Sequence, residues 1–364
     1  MITTAVRRDT PAAVQALAAV PGVLVATWGS TARNEETPLS DVDLLCWNPT
    51  GAALPEVTVA GGYLDLVVCT GDAAALASWA RANATDLHAV MFSRPAGGDP
   101  RLLPAFQEVV AGLWNDTALR AREVLHLLAT TTALPRVHGS ALLRPEKFGP
   151  GGTRGWSALG ECASLLDGRV RHRSTATALA ALAAAGDVDG DAADSFAAAM
   201  RLRRECEAGT RSFDGVSAEA YLSSARRLLH RHDDWLRTHA GDETRVMRSV
   251  FAARSGAEVA GLLDTAHGGS WWVRHAALMN AHTGDATLRR IIRDTRHSGA
   301  WWADRNLVLY AVRHPNASAA LLDDVVRACP ELRLMDLEAV RQRRATLAFT
   351  DHHTPSVQGK QEVR

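Results

Sequence analysis

The chain has 364 residues, 47% of them hydrophobic and 22% charged, with 40 basic and 40 acidic side chains for a formal net charge of +0. That length accommodates two or three domains with substantial cores, and the neutral balance argues against bulk adhesion to nucleic acid or to an anionic membrane. No apolar run approaches the roughly 20 residues needed to span a bilayer. The cysteines (Cys46, Cys69, Cys162, Cys206, Cys329) are odd in number, widely spaced and without a C-x-x-C pair. They read as reduced, mostly buried thiols of a cytoplasmic protein, not as a disulfide framework or zinc site. Nearly every basic residue is Arg; the only lysines are Lys147 and Lys360.

In chain order, a helix pattern over Ala12–Ala19 leads to an apolar strand, Val23–Trp28, which breaks at Gly29-Ser30. Two further strands follow, Val42–Trp47 and Tyr63–Val68, separated by turn residues around Pro49–Gly51 and Gly61-Gly62. From about Leu102 the pattern is helical, with amphipathic stretches near 102–113, 118–130, 154–168, 192–208, 217–238 and 243–253. A Gly- and Pro-rich interruption occupies 133–153. Beyond it the text repeats every 30 residues: Leu262, Ile292 and Leu322 align, as do Asp264, Asp294 and Asp324 and the pairs Trp271-Trp272 and Trp301-Trp302. Units of this size bury their apolar faces only by stacking, so the Trp pairs are expected to pack between repeats. The predicted fold class is α+β. A small mixed-sheet domain (1–100) precedes an all-α helical domain (101–245) with a Gly-rich loop at 147–155. Short helical repeats (246–330) and a C-terminal helix and polar tail (331–364) complete the chain.

Chemistry concentrates in the first domain. Asp41 and Asp43 are two apart, so on a strand both carboxylates leave the same face while Val42 and Leu44 enter the core. Adjacent carboxylates repel unless a cation lies between them, and hard oxygen ligands select Mg²⁺ or Mn²⁺. Such sites hold two ions about 3.5–4 Å apart, clamping the attacking and leaving oxygens of an in-line displacement. The Gly29-Ser30 turn offers backbone N–H groups and a hydroxyl to a triphosphate. Asp65 stands inside the third strand, where a buried, unpaired carboxylate is costly; delivery to the same metal cluster removes that cost.

The order of strand, Gly-Ser, gap, Asp-x-Asp and Asp on a third strand resembles the DNA polymerase beta-type nucleotidyltransferase superfamily. The resemblance is closest to the nucleotidyltransferase part of bacterial PII uridylyltransferases and their uncharacterised relatives. The stretch Gly29-Ser-Thr-Ala-Arg33-Asn-Glu35-Glu-Thr-Pro38-Leu-Ser40-Asp41-Val-Asp43-Leu-Leu45 is similar to their G-G-Y-G-R-G-E-L-x-P-x-S-D-I-D-L-L, with Arg33, Glu35, Pro38 and Ser40 in register. Farther on, Lys147-Phe-Gly149-Pro-Gly151-Gly152-Thr-Arg154-Gly155 is similar to their K-x-G-P-G-G-L-R-D, except that Gly155 stands where the family has Asp. The repeats resemble leucine-rich-repeat-variant units and lie outside the first resemblance.

The resemblance implies a nucleotidyltransferase that moves a nucleoside monophosphate from an NTP to a small-molecule or protein acceptor and releases pyrophosphate. It makes Asp41, Asp43 and Asp65 the catalytic and metal-holding residues. Gly29, Ser30, Arg33, Ser40, Lys147, Gly151, Gly152 and Arg154 become the nucleotide-binding set. A non-catalytic NTP-sensing scaffold that binds a partner through its repeats is the alternative.

Overall fold

The computed structural model describes residues 10–37, 39–57, 64–137, 145–148, 151–169, 174–211, 218–296 and 301–328. Pro38, Gly149-Pro150, the Trp301 and Trp302 side chains and the tail beyond 328 lie outside that description.

β1 (Leu24–Thr27) sits inside a four-stranded mixed sheet of order β3-β2-β1-β4. It pairs antiparallel with β2 (Val42–Asn48) and β4 (Arg94–Gly98), while β3 (Leu64–Thr70) runs parallel to β2. Period-two alternation splits the strands between two cores. Val23, Val25, Val42, Leu44 and Cys46 pack with Ala13 and Leu17 of α1 (Thr10–Ala18); Leu24, Ala26, Leu45 and Trp47 face the remaining helices. Asp43 is in phase with Leu45 and Trp47, so it points toward the helical side. That is where the cleft forms.

Sequence pattern does not predict β4, because Arg94-Pro-Ala-Gly-Gly98 reads as a loop. An edge position tolerates Pro95, and a register shift between Val25 and Ala26 absorbs the irregularity. Gly98 is needed there: its φ is +107°, and a Cβ would lie 2.2 Å from the Val23 carbonyl oxygen.

α2 (Gly29–Arg33) is a single short helix between β1 and β2. After β3 come α3 (Ala73–Ala82) and α4 (Ala84–Met91), capped by the side chains of Asp72 and Asn83. α5 (Leu103–Asn115) and α6 (Thr117–Val137) follow. α6 is the spine of the helical part; Ala121, Val124, Leu125 and Leu128 form a buried stripe at helical spacing. Around it lie α7 (Pro145–Phe148), α8 (Thr153–Asp167), α9 (Thr175–Ala184), α10 (Ala192–Glu207), α11 (Ala218–Arg231), α12 (Asp233–His239) and α13 (Asp242–Ala252). The one helix expected over 217–238 is thus two, parted at His232.

The repeats are paired helices, α14 (Gly256–Leu263), α15 (Trp271–Leu278), α16 (Asp285–Arg296), α17 (Trp301–Arg313) and α18 (Ala319–Ala328). Arg290 ties Asp264 at 2.6 Å, Arg289 pairs with Asp324, and Asn280 donates to the Val250 carbonyl at 2.7 Å. The first Trp pair does more than join repeats. Trp272 donates to the Arg81 carbonyl at 3.3 Å and lies 4.1 Å beneath the Arg122 guanidinium; both Trp271 and Trp272 meet the His126 ring of α6. One apolar core consequently runs from Leu24 to Val325, across the expected boundary near 245. Among the described residues no helix is long and apolar enough to cross a membrane.

Candidate functional site

The Gly-Ser turn is stitched onto β2 at Asp43. Trp28 donates its backbone N–H to the Asp43 carbonyl at 3.1 Å, and the Asp43 N–H donates to Thr31 Oγ1 at 3.2 Å. Ser30 Oγ donates to Asp43 Oδ2 at 3.4 Å. Gly29 has φ +57°, and a Cβ on it would lie 2.4 Å from that same Oδ2. Only glycine lets the turn approach the carboxylate this closely. α2 then starts at Gly29 without a side-chain cap, and the N–H groups of a first helical turn have no intrahelical acceptor.

Asp43 and Asp65 are register partners across the parallel β2–β3 pair, so their side chains leave the same face side by side. Asp41 precedes β2 and lines the same cavity. Burial, then the charges of Asp65 and Asp41, push the Asp43 carboxyl up to about 7 against the pull of Lys147 and Arg154. The expectation that Asp65 is buried is wrong. It is exposed, because β3 is an edge strand and its second residue stands at the rim of the cleft. The desolvation cost falls on Asp43 instead.

The described parts of the Gly-rich segment border the same cavity as these carboxylates. Lys147 on α7 and Arg154 near the start of α8 line the cavity with Gly29, Ser30 and Asp43. Gly151 takes φ +75° and its carbonyl accepts from Trp156 Nε1 at 3.1 Å; Gly152 is the N-cap of α8, with no side-chain cap bond. Both glycines are buried. Gly155 is tightly packed: a Cβ there would lie 2.9 Å from the Tyr221 ring.

Arg33 and Ser40 also line the cavity, but the protein itself engages them. Arg33 donates to Glu35 at 2.8 Å and to Glu161 at 2.7 Å. Burial opposes its charge, and the two carboxylates more than offset that, holding its pKa above the ordinary value. Glu35 in turn accepts from the Thr175 N–H at 2.5 Å and its hydroxyl at 2.9 Å, capping α9. Ser40 Oγ accepts from the Thr37 N–H at 2.9 Å and from Arg203 at 3.1 Å. Arg203 reaches on to Thr153 Oγ1 at 3.4 Å, which ties the Asp-x-Asp loop to the start of α8. Arg203 pairs with Glu207 one helical turn on at 2.8 Å, but no local pattern marks its reach to Ser40, 163 positions away.

Sequence reasoning also misses the opposite wall. His88 Nε2 lies 2.6 Å from Glu123 Oε1, and its Nδ1 lies 3.6 Å from Glu161. Burial disfavours charge on His88, but Glu123 and Glu161 raise its pKa overall; burial raises that of Glu123 despite His88. Deeper in, Trp271 stacks on His275 at 4.7 Å between ring centres, and His126 lies 4.6 Å from His275. Burial lowers His275 to about 3 and carries His126 well below its usual value, so both rings are neutral at pH 7. The whole cavity encloses about 380 Å³, with the sheet, the Gly-rich segment and the first two repeats contributing to its lining. Comparison with protein-family models, with curated proteins and with solved structures gives no match for this chain.

Proposed function

We propose that this chain is a metal-dependent nucleotidyltransferase that transfers a nucleoside monophosphate from an NTP to an acceptor hydroxyl and releases pyrophosphate. One observation carries the reading: Gly29, the Asp43–Asp65 pair and the Lys147 and Arg154 cations converge on one cavity. The resemblance of the 29–45 and 147–155 segments to nucleotidyltransferases supports it.

The donor set fits Mg²⁺ (or Mn²⁺). It is made of hard oxygens, and a divalent ion would offset the burial and the neighbouring carboxylate charges that raise Asp43 to about 7. Among the described residues no group of three His, Cys, Asp or Glu side chains is arranged to hold an ion alone. Mg²⁺ takes one or two carboxylates and completes its shell with water and substrate phosphates. When bound, the metal neutralises phosphate charge and favours in-line displacement.

Asp43 and Asp41 hold that ion in this scheme, and Lys147 and Arg154 bind the triphosphate. The acceptor oxygen bonds to the α-phosphorus as the bond to the β-phosphate's bridging oxygen breaks; the hydroxyl proton passes to Asp65. Gly29 and Ser30 orient the phosphates through backbone N–H groups. The exposed setting of Asp65 favours one alternative, a scaffold that senses NTP without turning it over. Pyrophosphate release, assayed with each of the four NTPs, Mg²⁺ and a host metabolite extract, separates the two. Release abolished in Asp43→Asn supports transfer; nucleotide binding without release from any NTP supports the scaffold.

A further inference from the structure

Two segments far apart in the chain bring opposite charges to the cavity, and one side chain holds both segments. Asp41 follows Ser40 in the loop before β2, and Arg154 follows Thr153 at the start of α8. Both Asp41 and Arg154 line the cavity, and both act on Asp43, the first raising its pKa and the second lowering it. Arg203, near the end of α10, donates from Nη2 to Ser40 Oγ at 3.1 Å and from Nη1 to Thr153 Oγ1 at 3.4 Å. Its two arms end one residue short of Asp41 and of Arg154.

The surroundings fix the guanidinium in place. Arg203 Nε donates to Glu207 Oε1 at 2.8 Å, which sets the plane of the fork. Glu207 Oε2 accepts the Leu39 N–H at 3.4 Å, so α10 grips the loop at two successive residues. Arg203 is 5% exposed, Ser40 4% and Thr153 3%, which leaves bulk water little access to these bonds. Desolvation takes back most of what a buried ion pair gains, so the Arg203–Glu207 pair contributes geometry more than stability.

The chemistry of each partner matches this role. A hydroxyl has one donor and two acceptor positions. Ser40 Oγ accepts from the Thr37 N–H at 2.9 Å and from Arg203, which leaves its proton for Thr37 Oγ1 at 2.9 Å. Those three bonds use its full capacity. A planar fork can reach two acceptors on separate segments at one fixed spacing; a lysine ammonium is a point charge on a flexible stem.

We infer that Arg203 is a positioning residue: through Ser40 and Thr153 it fixes the separation of Asp41 and Arg154, so that a divalent cation at the Asp-x-Asp loop and a triphosphate at the Gly-rich segment meet at one spacing. The inference rests on the metal and nucleotide reading of the cavity and does not require turnover.

The test is calorimetric titration of the full chain with the α,β-methylene analogues of ATP, GTP, CTP and UTP, in EDTA and again with Mg²⁺. The ratio of the two dissociation constants measures the coupling between metal and triphosphate. Mg²⁺ should tighten binding to the parent. In Arg203→Lys, Ser40→Ala and Thr153→Val the ratio should shrink by about tenfold, with affinity in EDTA little changed. Ser40→Ala and Thr153→Val each cut one arm and keep the guanidinium, so they report even where Arg203→Lys does not fold. Combining Thr153→Val with Arg203→Lys should add nothing, because both break one connection. Equal weakening with and without Mg²⁺ would make Arg203 a direct phosphate ligand, and a lower melting temperature with the ratio intact would make it a structural tie. Either result overturns the assignment, as does a parent whose affinity ignores Mg²⁺. Pyrophosphate release from the natural NTPs is scored separately, with kcat in the variants expected to fall by about 10². A parent that shows the coupling but releases no pyrophosphate removes the transferase and leaves the role of Arg203 standing. Release by the parent with an unaltered ratio in the variants does the reverse.

Discussion

Arg33 and Glu161, separated by 128 positions in the chain, meet at 2.7 Å in the cavity wall. The contact joins the end of α2 to the middle of α8, and Glu161 also faces His88. Arg33→Met should therefore leave Glu161 and Glu123 sharing one imidazole, and Glu35 without its cation. We expect a loss of about 1–3 kcal/mol, below the cost of a fully buried pair because both side chains retain some exposure. Urea denaturation checks this; an unchanged midpoint would remove the pair from the list of ties between sheet and helices.

The buried Asp43 carboxyl gives a pH signature. Asp43 is raised from 3.8 to about 7 on folding, so between those values the native state binds a proton that the unfolded chain has released. Stability is then greatest below about 4, falls as pH rises toward 7, and loses this dependence above it. Asp43→Asn should flatten that slope in metal-free buffer and be at least as stable as the parent at pH 8. Its turnover should drop by at least about 10³, roughly 4 kcal/mol of transition-state stabilisation. A slope identical in both proteins contradicts the setting described for Asp43.

Gly29→Ala tests the approach of the turn to β2. The added methyl would meet Asp43 Oδ2 at 2.4 Å on a backbone with φ +57°. The left-handed conformation alone costs an L-residue about 1–2 kcal/mol, and displacement of the carboxylate should abolish pyrophosphate release. Wild-type activity in this variant would mean that Asp43 is free to move.

Lys147→Ala should raise the KM for NTP or lower kcat with little change in melting temperature. The ammonium lines the cleft and draws the Asp43 carboxyl downward. Kinetic silence of this variant would reduce the Gly-rich segment to a helix-initiating turn.

Gly155→Asp introduces the residue found at this place in the uridylyltransferase motif that the segment resembles, and it should destabilise this chain. Its Cβ would enter the Tyr221 ring, which is 1% exposed and rests edge-on against Trp156. Overpacking of this kind costs about 1–3 kcal/mol. Thermal melts of the variant alone and with Tyr221→Leu check it, since the second change should recover part of the loss.

What the sequence reveals follows from how far each signal reaches. Gly29-Ser30, Asp41, Asp43 and Asp65 are legible because a strand's period of two and its breaking residues are local properties. The juxtaposition of Lys147 and Arg154 with them was legible only through resemblance, and the cavity lining agrees with it. Exposure of Asp65 was not legible, since whether a strand lies at a sheet edge depends on its neighbours. β4 escaped because its pairing with β1 overrides a composition of Pro and Gly. Glu123, His88, Arg203 and His275 stand in unremarkable helical text; only tertiary packing brings them to a shared cavity.

The unbroken core from Leu24 to Val325 has a mechanical consequence. Trp272 is clamped by the Arg81 carbonyl and the Arg122 guanidinium, so the first repeat pair is anchored to the parts that flank the sheet. A solenoid ordinarily frays one unit at a time from its free end. Here the inner units melt with the rest, and only the outermost pair can peel away alone. Amide protons of α15 should accordingly exchange as slowly as those of β1, and those of α18 should exchange first.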